Sequence, residues 1–147
     1  MYIHTFRENM PGEVTPPKDR TTSAVRKKMS APALKSFFQI AKKWQVTEKQ
    51  TEGLLGWPCR QTVYNWQKNT STTLPYDTLT RISLILGIYK DLHILYPEKT
   101  FANNWVHMNN SNFLFKGKTP MNFMIEGGID AMYSVRRLLD SRRGGWN

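Results

Sequence analysis

The chain has 147 residues, 21 Lys and Arg against 11 Asp and Glu, and a formal net charge of +10. That length holds one ordinary domain or two very small ones and excludes a large two-domain enzyme. With 39% hydrophobic residues, 12% aromatics and five Trp, the chain has enough apolar surface for a core, while a pI near 9.9 points to a polyanionic partner: nucleic acid, anionic lipid or an acidic protein.

Residues 1–30 contain Pro11, Gly12, Pro16 and Pro17, then a basic run ending in Arg26, Lys27 and Lys28, with no sustained apolar period. They predict a flexible basic arm, either a solvated tail or a phosphate-attracting element, with order beginning near Ala33. Met1 to Met10 includes Arg7 and Glu8 and has no apolar signal core. No stretch reaches the ~20 apolar residues of a membrane span, so a cytoplasmic location without membrane contact is expected.

From Ala33, the residues Leu34, Phe37, Phe38, Ile40, Ala41 and Trp44 recur at helical spacing, and Lys35, Lys42 and Lys43 take the other face. Thr47 and Gln50 form a T-x-x-Q capping box for a second helix. That helix runs to Leu54 and Leu55 and stops at Gly56, where a missing Cβ permits a sharp turn. A third helix is expected from Pro58 to Lys68. Val63 and Trp66 can anchor it, which leaves Arg60, Gln61, Tyr64, Asn65 and Lys68 as a polar face without an acid.

Such a face suits the major groove, because Arg can bind guanine O6 and N7 together, and Gln or Asn can do the same for adenine N6 and N7. Thr62 on the same helix, with Thr47 and Lys49 at the start of the helix before it, completes the candidate DNA-binding set. The order helix, glycine turn, polar helix fits a helix-turn-helix over residues 31–72. The plain alternative is an ordinary helical hairpin; the +10 charge and the acid-free face favour DNA.

Residues 73–147 form the second expected region. Its longest helix, Asp77 to Tyr96, carries apolar residues beyond one stripe and should be covered on more than one side, in part by a second copy of the chain. His93 on it reads as a packed, hydrogen-bonded residue. A short helix spans Thr100 to His107, an irregular stretch follows through Thr119, and a brief helix covers Pro120 to Glu126. The last helix, Ile129 to Arg143, sends Met132, Val135, Leu138 and Leu139 inward and Arg136, Arg137, Arg142 and Arg143 outward or toward a partner. Gly127, Gly128, Gly144 and Gly145 follow helical segments, where they cap and turn.

Catalytic chemistry has little to stand on. The lone Cys59 makes neither an internal disulfide nor a Cys-based zinc site. His4, His93 and His107 are far apart, and there is no phosphate loop or nucleophile elbow. No catalytic residue, metal or cofactor is expected.

The chain resembles the Xre/MbcA/ParS antitoxin family from about Ala33 onward. The first half matches through Leu54-Leu55-Gly56 and Arg60 to Trp66. The second matches through Leu79 to Ser83, Leu86 to Lys90, Leu92 to Leu95, Asn109-Asn110, Phe115 to Pro120, Met124 to Gly128, Val135 to Asp140 and Arg142 to Trp146. The count from Gly56 to Trp66 is one residue longer than in the usual member, with Pro58 marking the extra residue.

The resemblance implies an all-helical antitoxin of a type II toxin-antitoxin system, whose Xre-like helix-turn-helix represses its own operon by binding operator DNA. Its second half would occlude the active site of a RES-type toxin, an ADP-ribosyltransferase-like protein that consumes NAD+. The implied toxin contacts are Arg136, Arg137, Asp140, Arg142, Arg143, Gly144, Gly145 and Trp146. A homodimer is expected, built on the apolar faces of Asp77 to Tyr96, along with a higher-order complex with the toxin. A solitary transcription regulator of the same fold, with no toxin, is the alternative.

Overall fold

The computed structural model describes residues 22–68 and 71–144, and every described element is helical. Most of the expected basic arm, together with Gly145 and Trp146, lies outside the described residues. The elements in order are α1 (Ser23–Lys43), α2 (Glu48–Leu54), α3 (Arg60–Lys68), α4 (Tyr76–Leu95), α5 (Lys99–Asn104), two 3₁₀ turns at Trp105–His107 and Phe113–Phe115, and α6 (Pro120–Gly144).

α1 begins ten residues before Ala33, which corrects the expected start of order. Thr22 caps it by accepting from the Val25 amide at 3.3 Å. Ser30 is fully buried; its hydroxyl donates to the Arg26 carbonyl at 2.6 Å and accepts from the Leu74 amide at 2.9 Å. This contact over 44 residues holds the basic segment in a helix that its apolar period does not announce. Pro32 sits inside the helix.

The helix ends are closed by local chemistry. In α1 the amides of Gln45 and Val46 return to the carbonyls of Lys42 and Ala41, with Gln45 left-handed at φ 54°. This is a Schellman closure, and α2 repeats it: Gly56 and Trp57 donate to Gly53 and Glu52, with Gly56 at φ 91°. The capping box at Thr47 and Gln50 is present in full, each hydrogen bond 3.0 Å long. α3 begins at Arg60 rather than Pro58, because its first helical bond runs from the Val63 amide to the Cys59 carbonyl. Pro58 therefore belongs to the turn. α6 is two helical pieces joined at Gly128, whose φ of 70° and ψ of −148° are accessible essentially to glycine alone. The expected break near Gly127-Gly128 is observed.

One hydrophobic cluster runs through both expected regions, from Leu34, Phe37 and Trp44 through Leu54, Val63 and Trp66 to Ile82, Ile85, Leu92, Met124 and Val135. α4 is its axis, packed by α1, α5 and α6. Leu79, Ile82, Leu84, Ile85, Ile88 and Leu92 are all buried by the chain's own helices. The wide apolar surface of α4 is thus largely covered by the chain's own helices. Ile94, 49% exposed, is the main apolar residue that its later turns leave open. Among the described residues, no helix is long and apolar enough to cross a membrane.

Candidate nucleic-acid interface

α3 is held by its two anchors: Val63 and Trp66 are buried, and α3 packs against α1. The helical period then turns Arg60, Gln61, Tyr64, Asn65 and Lys68 outward, and all five are exposed. The Gln61 side-chain amide donates to the Asn65 carbonyl oxygen at 3.0 Å, one turn along. The Lys68 ammonium sits 5.6 Å from the Tyr64 ring centre. Such links pre-order the face, and the Gln61–Asn65 bond occupies one polar atom of each amide that a bidentate base contact would have to displace.

Arg60 pairs with Glu48 of α2 at 3.2 Å, and both side chains are 80% exposed. A pair in so much water contributes about 0–1 kcal/mol, less than the ~1–3 kcal/mol of a bidentate arginine–guanine contact. The Arg60–Glu48 pair is therefore weak enough to be exchanged for a stronger contact.

Two residues of the expected DNA set sit differently. Thr62 is half-buried on the flank of α3, its hydroxyl 3.1 Å from the Cys59 sulfur. The Thr47 hydroxyl is engaged in capping α2. Lys49 is exposed beside it. The Thr62 hydroxyl also holds the Cys59 thiol below its ordinary pKa.

Considering α3 alone misses what its neighbours add. An open groove of about 780 Å3 runs between α1, α2 and α3, lined by Phe38, Ala41 and Lys42, by Glu48 and Glu52, and by Arg60, Gln61, Tyr64 and Gln67. α1 brings Lys42 to the groove and α2 brings two acids. Gln67, exposed one turn after Val63, extends the polar face.

Part of the second group of expected contacts turns toward α4. Asp91 of α4 is fully buried. Arg143 donates to its Oδ1 at 2.8 Å, and the Arg136 Nε lies 3.4 Å from Oδ2. Arg136 also reaches Asp140 at 3.1 Å. The guanidinium of Arg136 fits because α4 carries Gly87 there: a Cβ on Gly87 would lie 1.7 Å from Arg136 Nη1. Burial pushes the Asp91 carboxyl above its ordinary pKa, aided by Asp140 and opposed by the two arginines. Hydrogen bonding to Asp91 pulls Asp140 below its ordinary value.

Arg136 and Arg143 thus pair with Asp91 while each keeps about a third of its side chain exposed. They fasten α6 to α4. Arg142 is exposed, with one long bond of 3.4 Å to the Tyr96 hydroxyl; Arg137, also exposed, lies 3.5 Å from the Ser134 hydroxyl; and exposed Gly144 ends α6. His93 is half-buried, with its Nε2 2.8 Å from the Asn103 side-chain oxygen and its ring tilted against that of Tyr89 with centres 4.3 Å apart, in agreement with a packing role.

No family model matches the chain. Over 112 residues, which are 76% of this chain and 84% of the other, it is 38% identical to y4oB, an uncharacterized protein of Sinorhizobium fredii (strain NBRC 101917 / NGR234). Identity of that level over so much of both chains places the two together: the chain belongs to the family of y4oB.

Proposed function

We propose that the chain is a DNA-binding antitoxin and autorepressor, reading operator bases with α3 and neutralising a RES-type, NAD+-consuming toxin through its second half. The observation that carries the DNA reading is the face of Arg60, Gln61, Tyr64, Asn65 and Lys68, exposed together on a helix that carries no acid of its own and is anchored by two buried side chains. That the helices form an Xre-like helix-turn-helix is part of this proposal, supported by the glycine-closed turn between α2 and α3. The toxin reading is supported by the motif series from Leu79 to Trp146. Within that series, exposed Arg137 and Arg142 are better candidates for a partner's acids than Arg136 or Arg143.

Electrophoretic mobility shifts on the DNA upstream of the chain's own coding region test the first part. Arg60→Ala should lower the preference for that DNA over a scrambled duplex by ~1–3 kcal/mol, whereas Lys68→Ala should weaken both equally and reduce the salt slope by about one. Equal loss on both duplexes for Arg60→Ala would remove base reading from that residue. For the second part, Arg137→Ala combined with Arg142→Ala should impair protection from the co-expressed toxin while leaving DNA binding intact.

A solitary regulator is the second reading, favoured by the internal pairing of Arg136, Asp140 and Arg143. Affinity purification from the native cell separates the two: a stoichiometric second protein supports the antitoxin, and self-association alone supports the regulator.

A further inference from the structure

α1 carries Arg26, Lys27, Lys28, Lys35, Lys42 and Lys43 and not one Asp or Glu in its 21 residues. Three of these lysines form a line. Lys28, Lys35 and Lys42 are seven residues apart, and seven residues turn a helix ~700°, within ~20° of two full turns. The buried residues Ser30, Leu34, Phe37, Ile40 and Ala41 occupy the opposite side. The line is exposed at all three points, and among the described residues no ion pair involves any of them. At ~1.5 Å per residue it runs ~21 Å.

We propose that Lys28, Lys35 and Lys42 form a phosphate-tracking rail for duplex DNA, extending the α3 interface along the outer side of α1. The proposal rests on the DNA reading above and adds to it a sequence-independent contact. Two observations choose the partner. Lys42 lines the same groove as Arg60, Gln61 and Tyr64, so a duplex seated on α3 meets the end of the rail. A lipid surface is disfavoured because an interfacial helix lays its apolar face into the membrane, and the apolar face of α1 is already in the core. Duplex DNA presents one charge per ~1.7 Å of its axis with both strands counted, so a cationic line of this length can reach several phosphates.

The test replaces Lys28, Lys35 and Lys42 together by Gln, which has similar helix propensity and removes only charge; an unchanged circular-dichroism melt verifies the fold. Binding is measured across a salt series on the upstream DNA, on a short mixed-sequence duplex and on phosphatidylserine vesicles. The expected result is equal weakening on both duplexes, an unchanged preference between them, and a log–log salt slope shallower by ~2.7, at ~0.9 per phosphate contact.

An unchanged slope, alongside a loss of preference in Arg60→Ala, overturns the rail and leaves the DNA reading standing. Loss confined to the upstream DNA also overturns it, since a rail does not read sequence. If the wild-type chain binds neither duplex, the DNA reading and the rail fall together. Lysine-dependent vesicle binding without DNA binding would assign the line to lipid instead.

Discussion

Two basic regions of this chain differ in what the fold does with their charge. On α3, Arg60 meets only an exposed glutamate of the preceding helix, and its group of polar neighbours faces water. At the end of α6, Arg136 and Arg143 converge on a carboxylate with no exposure at all. The first pair is weak and can exchange for a ligand; the second is fixed by the cost of leaving Asp91 buried and unpaired. An arginine cluster near a chain end is thus evidence of a binding surface only once the buried acids of the fold have been accounted for.

The largest effect expected from breaking this contrast is at Asp91. Replacing one member of a fully buried pair costs about 3–5 kcal/mol. Here the two arginines are about one-third exposed and can turn toward water, so Asp91→Ala should cost about 2–3 kcal/mol in urea unfolding. A loss as small as that of Glu48→Ala would show that the two regions do not differ.

Gly87→Ala comes next. In an exposed helix that change stabilises by up to about 1 kcal/mol, but here the methyl would meet the Arg136 guanidinium, which must leave its place beside Asp91. A net destabilisation of about 1–2 kcal/mol is expected, and Arg136→Ala in the same background should remove the clash. If Gly87→Ala stabilises the chain, Arg136 does not lie across α4 in solution.

The acid pair gives a smaller, signed effect. Asp140, with its pKa lowered in the fold, contributes stability that is present above the ordinary aspartate range and is lost as pH falls through its folded value. Asp91, raised, acts oppositely: the fold binds its proton more tightly than the unfolded chain does, so it lowers stability as pH rises from the ordinary aspartate range through its folded value. The two slopes therefore partly cancel near the bottom of the pH range. Asp140→Asn should move the Asp91 carboxyl midpoint downward in carbon-detected NMR titration, since a neighbour that raises it has gone; an unmoved midpoint would show that the two carboxyls do not interact. The smallest effect belongs to the surface: Lys35→Gln should leave unfolding within about 0.5 kcal/mol of wild type.

The legibility of these features from sequence follows from the range of the interactions that make them. The capping box at Thr47 and Gln50, the stop at Gly56 and the break at Gly128 are settled within a few residues, and all were readable. The outward face of α3 was readable too, because a single helical period determines it. The early start of α1 was not, since Ser30 finds its partner at Leu74. Nor was the fastening of Arg136 and Arg143 to Asp91, which spans 45 and 52 residues. One signal was available: Asp91 is a lone acid placed between Ile88 and Leu92 on the apolar side of α4, a position that a carboxylate occupies only with a cation beside it.

Gly53 bears on how the two halves work together. A Cβ there would lie 2.7 Å from the Ile125 side chain, so α2 rests against the first part of α6 with no room for even a methyl group. This is a close helix-to-helix contact between the first and second parts of the chain. Under the proposed function, any coupling between the two ends would be reciprocal: the factor by which a bound partner changed DNA affinity would be the factor by which DNA changed the partner's affinity.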